Sequence, residues 1–353
     1  MLLQRVASTV IVDKLAYPAR TDFEVRDGKV CIRYLPNDDV FTIHPHALAQ
    51  LAEKAGLPPS FALKRARGEE WEKQLVCTNL NTLFQRTQFL TSEGEPTRFL
   101  HRIIGKELRG FLTRRFKRHL ASIPLLRAFV EACRKSCAEP VEAISTDIRF
   151  SLKAFLPQVF QAFPGQYVCV GVEWANSDFG AGKLLISQTV WDPLRDTHAV
   201  LDHKISRVHL GSIIEESDLE ISSETAAKEV DALAHATRDM VLKLLNEETI
   251  ERLLHGIQVA HEHQLSWRQL RRQLALFLAR KEIAHVEDLL TSDGVVDLPP
   301  AGQDENGERV PTRWWASNAI GYLAKRTADP GRKLELQYEA GKLLKGLTQG
   351  DAE

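Results

Sequence analysis

The chain has 353 residues, 44% of them apolar, and its 46 Lys and Arg nearly cancel 47 Asp and Glu to leave a net charge of −1. That composition furnishes a core for one large or two ordinary domains and argues against overall disorder. No run of eighteen apolar residues occurs, the opening MLLQRVASTVIVDKL lacks the parts of a signal peptide, and five cysteines are scattered without C-x-x-C spacing. The expectation is a cytoplasmic protein with reduced thiols, no disulfide framework, no structural zinc and no membrane partner.

Phe23 to Tyr34, FEVRDGKVCIRY, reads as a hairpin, because Asp27-Gly28 suits a turn that needs positive φ at both central residues. Helical spacing follows over His44–Ala55, Pro58–Arg67 and Glu70–Gln88, broken at Gly56 and Gly68. The 21 residues from Arg98 to Arg118 carry eight Lys or Arg (Arg98, Arg102, Lys106, Arg109, Arg114, Arg115, Lys117, Arg118) against one acid, Glu107, interleaved with Phe99, Phe111 and Phe116. FLHRII and ELRGFL around Gly105-Lys106 make this a second hairpin rather than a helix. Pro124–Ala138 spells an amphipathic helix on which Cys133 and Cys137 share a face as core or near-core thiols. Strand-like runs come next at Val141–Phe155, Gln166–Trp174, Lys183–Val190 and Ala199–Leu210. From about Ser222 the chain turns helical, interrupted by a polar loop, LPPAGQDENGERVP, at 298–311. Trp314-Trp315 opens a helix in which core packing is the expected role. Between Glu215 and Arg252 eleven acids face four bases, which reads as a solvated helix face or as an acidic counterpart to the basic stretch.

These elements predict an α+β fold: a central, mostly antiparallel sheet with packed helices and a helical C-terminal region. The expected segments are 1–95, a hairpin plus helices; 96–215, a central core; and 216–353, helical with the loop at 298–311.

Cations interleaved with aromatic rings on strands are how sequence-tolerant single-strand binders hold phosphates and stack bases. The basic residues just named, with Arg149 and Lys153 on a nearby strand, are therefore candidate nucleic-acid contacts, and Phe99, Phe111 and Phe116 candidate stacking rings. GVEWANSDFGAGKLLI (171–186) contains Gly180-Ala181-Gly182-Lys183, but Ser177 stands where a phosphate loop needs its first glycine and Leu184 where it needs Ser or Thr. What remains is a turn between strands, or a phosphate or interface loop using Asn176, Ser177 and Lys183. Glu173, Asp178, His198, Asp202, His203 and His209 match no standard metal-ligand spacing, and no nucleophile elbow is present.

HPHALAQLAEKAGLP, ELRGFLTRRFKRHL, GVEWANSDFGAGKL, the triplet His209-Leu210-Gly211 and TRWWASNAIGYLA…EAGKLL together resemble a family of uncharacterised proteins carried by bacteriophages and plasmids, over about Phe41 to Leu347. Relatives carry Ser-Asp where this chain has Thr113-Arg114, so its basic stretch is the more cationic. The resemblance implies a mobile-element context in a bacterial host and no particular chemistry. In element order and charge placement the chain is also similar in outline to single-strand annealing recombinases.

The reading that follows is a non-catalytic, single-stranded DNA binding and annealing protein acting as a ring or filament of identical subunits in the host cytoplasm, without a cofactor or metal; RNA is an alternative ligand. The alternatives are a protein-interaction factor in anti-defence or phage assembly, and a metal-dependent nuclease using Glu173, Asp178 and His209.

Overall fold

The Asp27-Gly28 turn adopts the conformation its sequence demands, with φ of 50° and 68°, and pairs β2 (Thr21–Arg26) with β3 (Lys29–Tyr34). The computed structural model describes residues 10–35, 37–87, 89–90, 94, 96–113, 122–207, 223–291, 302–303 and 309–345. The hairpin belongs to a six-stranded sheet that also contains β1 (Val12–Ala16), β4 (Asp39–Ile43), β5 (Phe99–Ile104) and β6 (Glu107–Thr113), in the order β1-β5-β6-β4-β3-β2. All its neighbours are antiparallel except β4 and β6, where Thr42 and Ile43 pair with Glu107 and Leu108.

Three helices cover one face of this sheet. α1 (Pro45–Ala55) is capped by His44, whose ring accepts from His46 N, and ends at Gly56 with φ of 77°. α2 (Pro59–Arg65) follows, and α3 (Glu70–Arg86) starts with a Glu69–Glu72 capping box. Leu51, Leu80 and Phe84 of these helices meet Phe23, Ile32, Phe99 and Phe111 of the strands in one core. Over Phe99–Thr113 the basic stretch is thus a hairpin as its glycines imply, but β5 and β6 join the N-terminal sheet. A boundary at residue 95 does not follow the strand pairing.

α4 (Ser122–Lys135) leads into a second sheet, an antiparallel meander of β7 (Glu139–Ser145), β8 (Phe150–Phe163), β9 (Gln166–Asn176), β10 (Leu184–Asp192) and β11 (Thr197–Arg207). The architecture is therefore α+β on two main sheets rather than one. Val141–Phe155 divides into two strands because the Thr146 hydroxyl accepts from Arg149 N and turns the chain at 146–149. β8 runs on through Pro157, which cannot donate to a ladder and sits in an irregularity of pairing between Phe155 and Val159. Cys133 is buried in α4, whereas Cys137 lies past its end, exposed, at φ of 57°.

α4 and α5 (Ser223–Leu244) pack on Leu152, Val172, Trp174 and Ile186 of the second sheet. α6 (Glu247–Glu262), α7 (Trp267–Leu274), α8 (Arg280–Thr291), α9 (Arg313–Arg326) and α10 (Pro330–Lys345) share a further core with Val168, Val190, Ala199 and Leu201. Trp314 and Trp315 are buried in it, as core residues should be. The C-terminal helices consequently pack onto the second sheet. In the 298–311 loop, Gly302–Gln303 (β12) pairs with Arg309–Val310 (β13).

α10 lies so close to β11 that a Cβ on Gly341 would stand 1.9 Å from the carbonyl oxygen of Val200, a backbone atom with no room to yield. A Cβ on Gly256 of α6 would meet nothing within 4 Å. Gly341→Ala is expected to cost about 3 kcal/mol or more as an overpacked contact, while Gly256→Ala stabilises by about 0.5–1 kcal/mol through helix propensity. Urea unfolding of both variants checks the contrast.

Candidate nucleic-acid interface

Strand alternation sends the two faces of the β5–β6 hairpin to different neighbours. Phe99, His101 and Phe111 point to the helix-covered core, where Phe99 and Phe111 stack at 4.7 Å between centroids and are 4% and 3% exposed. These rings cannot stack on bases. The expectation that they would is corrected: their alternation was right, and the core claimed that face. His101 is buried beside Tyr34, its ring Nδ1 2.5 Å from the phenol oxygen, and burial together with Lys14 lowers its pKa to about 3.

The opposite face carries Leu100, Arg102, Gly110 and Leu112 toward the 177–182 loop. Arg102 is 5% exposed, donates to Asp13 Oδ1 at 2.9 Å and to the carbonyl oxygen of Asp178, and so is a structural cation rather than a ligand contact. The Asp178 carboxylate accepts from Ser122 N at 3.2 Å and Ser122 Oγ at 3.0 Å, which fixes the start of α4. Burial raises the Asp178 pKa, with Arg102 and Ser122 opposing. Asn176 Nδ2 also donates to Ser122 Oγ, at 3.0 Å.

Ser177 Oγ accepts from Phe179 N at 3.2 Å and Ala181 N at 2.9 Å and donates to Ile148 O at 2.6 Å. Two N–H groups that a phosphate loop would offer are therefore spent inside the turn. Phe179 O in turn accepts from Gln50 Nε2 at 3.1 Å and lies 3.0 Å from His46 Nε2, while Gln50 Oε1 accepts from Phe111 N. Gly180, at φ of 75°, has no space for a Cβ, which would fall 2.5 Å from Leu112 Cδ2. Asn176 and Ser177 thus belong to a junction between the two sheets, and of the three loop candidates only Lys183 is exposed.

Lys153 is 1% exposed. It donates to the Glu142 carboxylate and, at 2.6 Å, to Gln337 Oε1 of α10, and it is unavailable to a ligand. Glu142 also holds Lys333. Burial pushes the Glu142 carboxyl up, but Lys153 and Lys333 hold it down at about 2. Beside it Glu173 accepts from Ser151 Oγ and is raised by burial against the pull of Lys153, while His198 is lowered to about 4 by burial and Lys153. Among the described residues no three His, Cys, Asp or Glu are grouped to hold a metal ion; His209 lies outside those residues.

A smaller set of cations does converge. Arg109 donates to Glu107 at 2.7 Å and to Asp147 O at 3.2 Å, on the 146–149 turn. Arg149, at the end of that turn, is half-buried, donates to the Tyr338 hydroxyl at 3.4 Å and lies over its ring. Gly182 adjoins Arg149, and the exposed Lys183 follows it. Lys106 is exposed at the hairpin tip, and Arg98 sits over the Tyr17 ring at 5.6 Å. Arg114, Arg115, Phe116, Lys117 and Arg118 lie outside the described residues.

The partners Asp13, Gln50, Glu142 and Gln337 were not anticipated. Each is between 11 and 184 positions from the residue it binds, so no local spacing announces it. The one available signal was Lys153 itself, a charge on a strand flanked by buried positions, which requires a counterion.

No protein-family model matches the chain, and no curated protein or solved structure is significantly similar to it.

Because Glu142 is held below its ordinary range in the folded state, its contribution to stability is complete above about pH 4.5 and is lost as the pH falls toward 2. Glu142→Gln should be less stable than the parent at pH 6 by on the order of 3 kcal/mol, with the gap closing on acidification. Urea unfolding at several pH values measures it; a gap independent of pH refutes the assignment.

Proposed function

We propose that this protein binds single-stranded nucleic acid through the basic surface at the 146–149 turn and the chain leaving β6, and that it promotes annealing as an oligomer. The observation that carries this reading is a local excess of positive charge. Between Glu107 and Glu131 the sequence has no acid and six Lys or Arg: Arg109, Arg114, Arg115, Lys117, Arg118 and Arg127. The first of these reaches the turn from which Arg149 emerges, beside Lys183. Backbone phosphates are the ligand groups such a surface suits, since cations on separate loops follow a flexible strand without reading its bases. With Phe99 and Phe111 in the core, affinity rests on charge rather than stacking. The resemblance to phage- and plasmid-borne proteins suggests only a mobile-element context in a bacterial host; the recombination role rests on the outline similarity to single-strand annealing recombinases, with DNA as the first ligand to test and RNA as the second. Among the described residues no helix is long and apolar enough to cross a membrane.

One observation favours a protein-binding reading instead. Trp71 is 59% exposed on α3 with Leu75, 38% exposed, one turn further on. An exposed Trp is the residue type that anchors protein interfaces.

Fluorescence anisotropy with an unstructured oligonucleotide separates the two. The parent should bind at low salt, with log K falling by about 0.7 per phosphate contact for each unit of log salt. Lys106→Glu with Lys183→Glu should weaken binding about tenfold or more, and Arg114→Glu with Arg115→Glu should do the same, since charge reversal removes contacts and adds repulsion. Trp71→Ala should leave it unchanged. Absence of binding at low salt, or indifference to both charge reversals, rules the nucleic-acid reading out.

A further inference from the structure

The C-terminal helices carry a second basic surface, and all of it lies within the described residues. From His263 to Lys281 the sequence has five Lys or Arg and no Asp or Glu. α7 buries Leu270 and Leu274 in the core and turns Arg268, Arg271 and Arg272 to solvent, with Arg268 and Arg272 one turn apart on the same face. Arg280 and Lys281 open α8 and are exposed as well. Arg271 is bound to Glu287 of α8, which holds the two helices together. Glu282, next to Lys281, accepts from Ala279 N at 2.8 Å and from Arg332 at 2.8 Å. Among the described residues Arg268, Arg272, Arg280 and Lys281 have no ion pair, so their charge is left to solvent.

This face offers charge without an apolar floor. The leucines of α7 lie in the core, and Leu276, 78% exposed in the turn after α7, is a single side chain. Protein interfaces are depleted of charge at their centre, and membrane-surface helices bury an apolar face in lipid. Neither pattern is met, whereas closely spaced guanidiniums are what backbone phosphates take up. We infer that α7 and the start of α8 form a second phosphate-binding surface, which holds the strand to be annealed; this rests on the reading of the protein as an annealing protein, though on separate residues. α10 joins the two basic surfaces. Arg332, in its first turn, donates to Phe277 O at 2.9 Å beside the α7–α8 surface. Tyr338, six residues on and so about 9 Å further along the axis, meets Arg149 of the other. Two strands repel through their phosphates, and two cationic surfaces fixed to one rigid helix neutralise each strand while holding both on the same subunit.

Counting a labelled oligothymidylate of about eight nucleotides bound per subunit at low salt tests this, a length that one single-strand binding module covers. The parent should take two. Arg268→Glu with Arg272→Glu should take one, with the affinity of the remaining site within about twofold of its parental value, and should slow the joining of two complementary strands about tenfold. Lys106→Glu with Lys183→Glu should weaken the other site and leave the one at α7 in place. Leu276→Ser should change neither the count nor the rate. The replaced side chains are exposed, and an unchanged urea midpoint for each variant shows that the fold is intact. One oligonucleotide per subunit in the parent, or two in Arg268→Glu with Arg272→Glu, overturns the inference, as does annealing at the parental rate once the second site is gone. Capture of the protein by phosphatidylglycerol vesicles that Leu276→Ser abolishes, with the count unmoved by the charge reversal, would assign the surface to a membrane and overturn it too. A parent that binds no oligonucleotide fails the nucleic-acid reading as a whole, whereas one that binds only at the 146–149 turn fails this inference alone.

Discussion

Arg102 is the cation on which the two sheets depend. Its side chain is 6% exposed, and among the described residues no strand ladder joins the six-stranded sheet to the meander. The guanidinium spans that gap by holding Asp13 of β1 with one edge and the Asp178 carbonyl with another. A planar fork of fixed donors can satisfy two acceptors on different elements at once, which an ammonium does less well. Removing a partner from such a buried pair costs about 3–5 kcal/mol, because the remaining charge stays desolvated. The loop packs against Gly110 of β6 at the same site. A Cβ there would lie at ordinary contact distance, 3.4–3.5 Å, from Phe179 O and Arg102 Cβ, which shows how closely the 177–182 loop packs on the strand.

The contact propagates beyond the two sheets. Asp178 uses its carbonyl for Arg102 and its carboxylate for the first residue of α4, so one residue fixes both the loop and the helix that follows the basic chain. Gln50 bridges β6 and Phe179 from the α1 side. The basic surface therefore rests on a framework tied together at 176–182, and Arg109 adds a direct link from β6 to the 146–149 turn. The distinctive GVEWANSDFGAGKLLI segment owes its composition to this role. Small residues permit close approach, and short polar side chains satisfy the backbone that the turn exposes.

The fold class and most elements were legible in the sequence, because hairpin turns and helix caps are local. Asp27-Gly28 and Gly105-Lys106 each encode their own geometry within a few residues. Sheet membership was not legible. Nothing near β5 states that it will pair with β1 some 83 to 91 positions earlier, and the parallel contact of β6 with β4 depends on tertiary packing alone. The same limit separates the candidate cations. Lys106 and Lys183 are exposed as expected, whereas Arg102 and Lys153 are structural because acceptors distant in sequence surround them. A charge count cannot distinguish these two fates; the alternation can, once the partner on each face is known.

Burying Arg102 and Lys153 also changes how the net charge of −1 should be understood. Each sits against a carboxylate, Asp13 and Glu142, so these pairs contribute nothing to the field outside. A phosphate approaching in solution responds to charges within about 8 Å at physiological ionic strength, not to the sum over the chain. At the 146–149 turn those charges are Arg109 and Arg149, with Lys183 next to the Gly182 that adjoins Arg149, against Glu107 and Asp147. The acids that balance the total are concentrated elsewhere, eleven of them between Glu215 and Arg252. A nearly neutral chain can in this way present a local cationic surface, because the charges that cancel it in the total lie beyond the screening length.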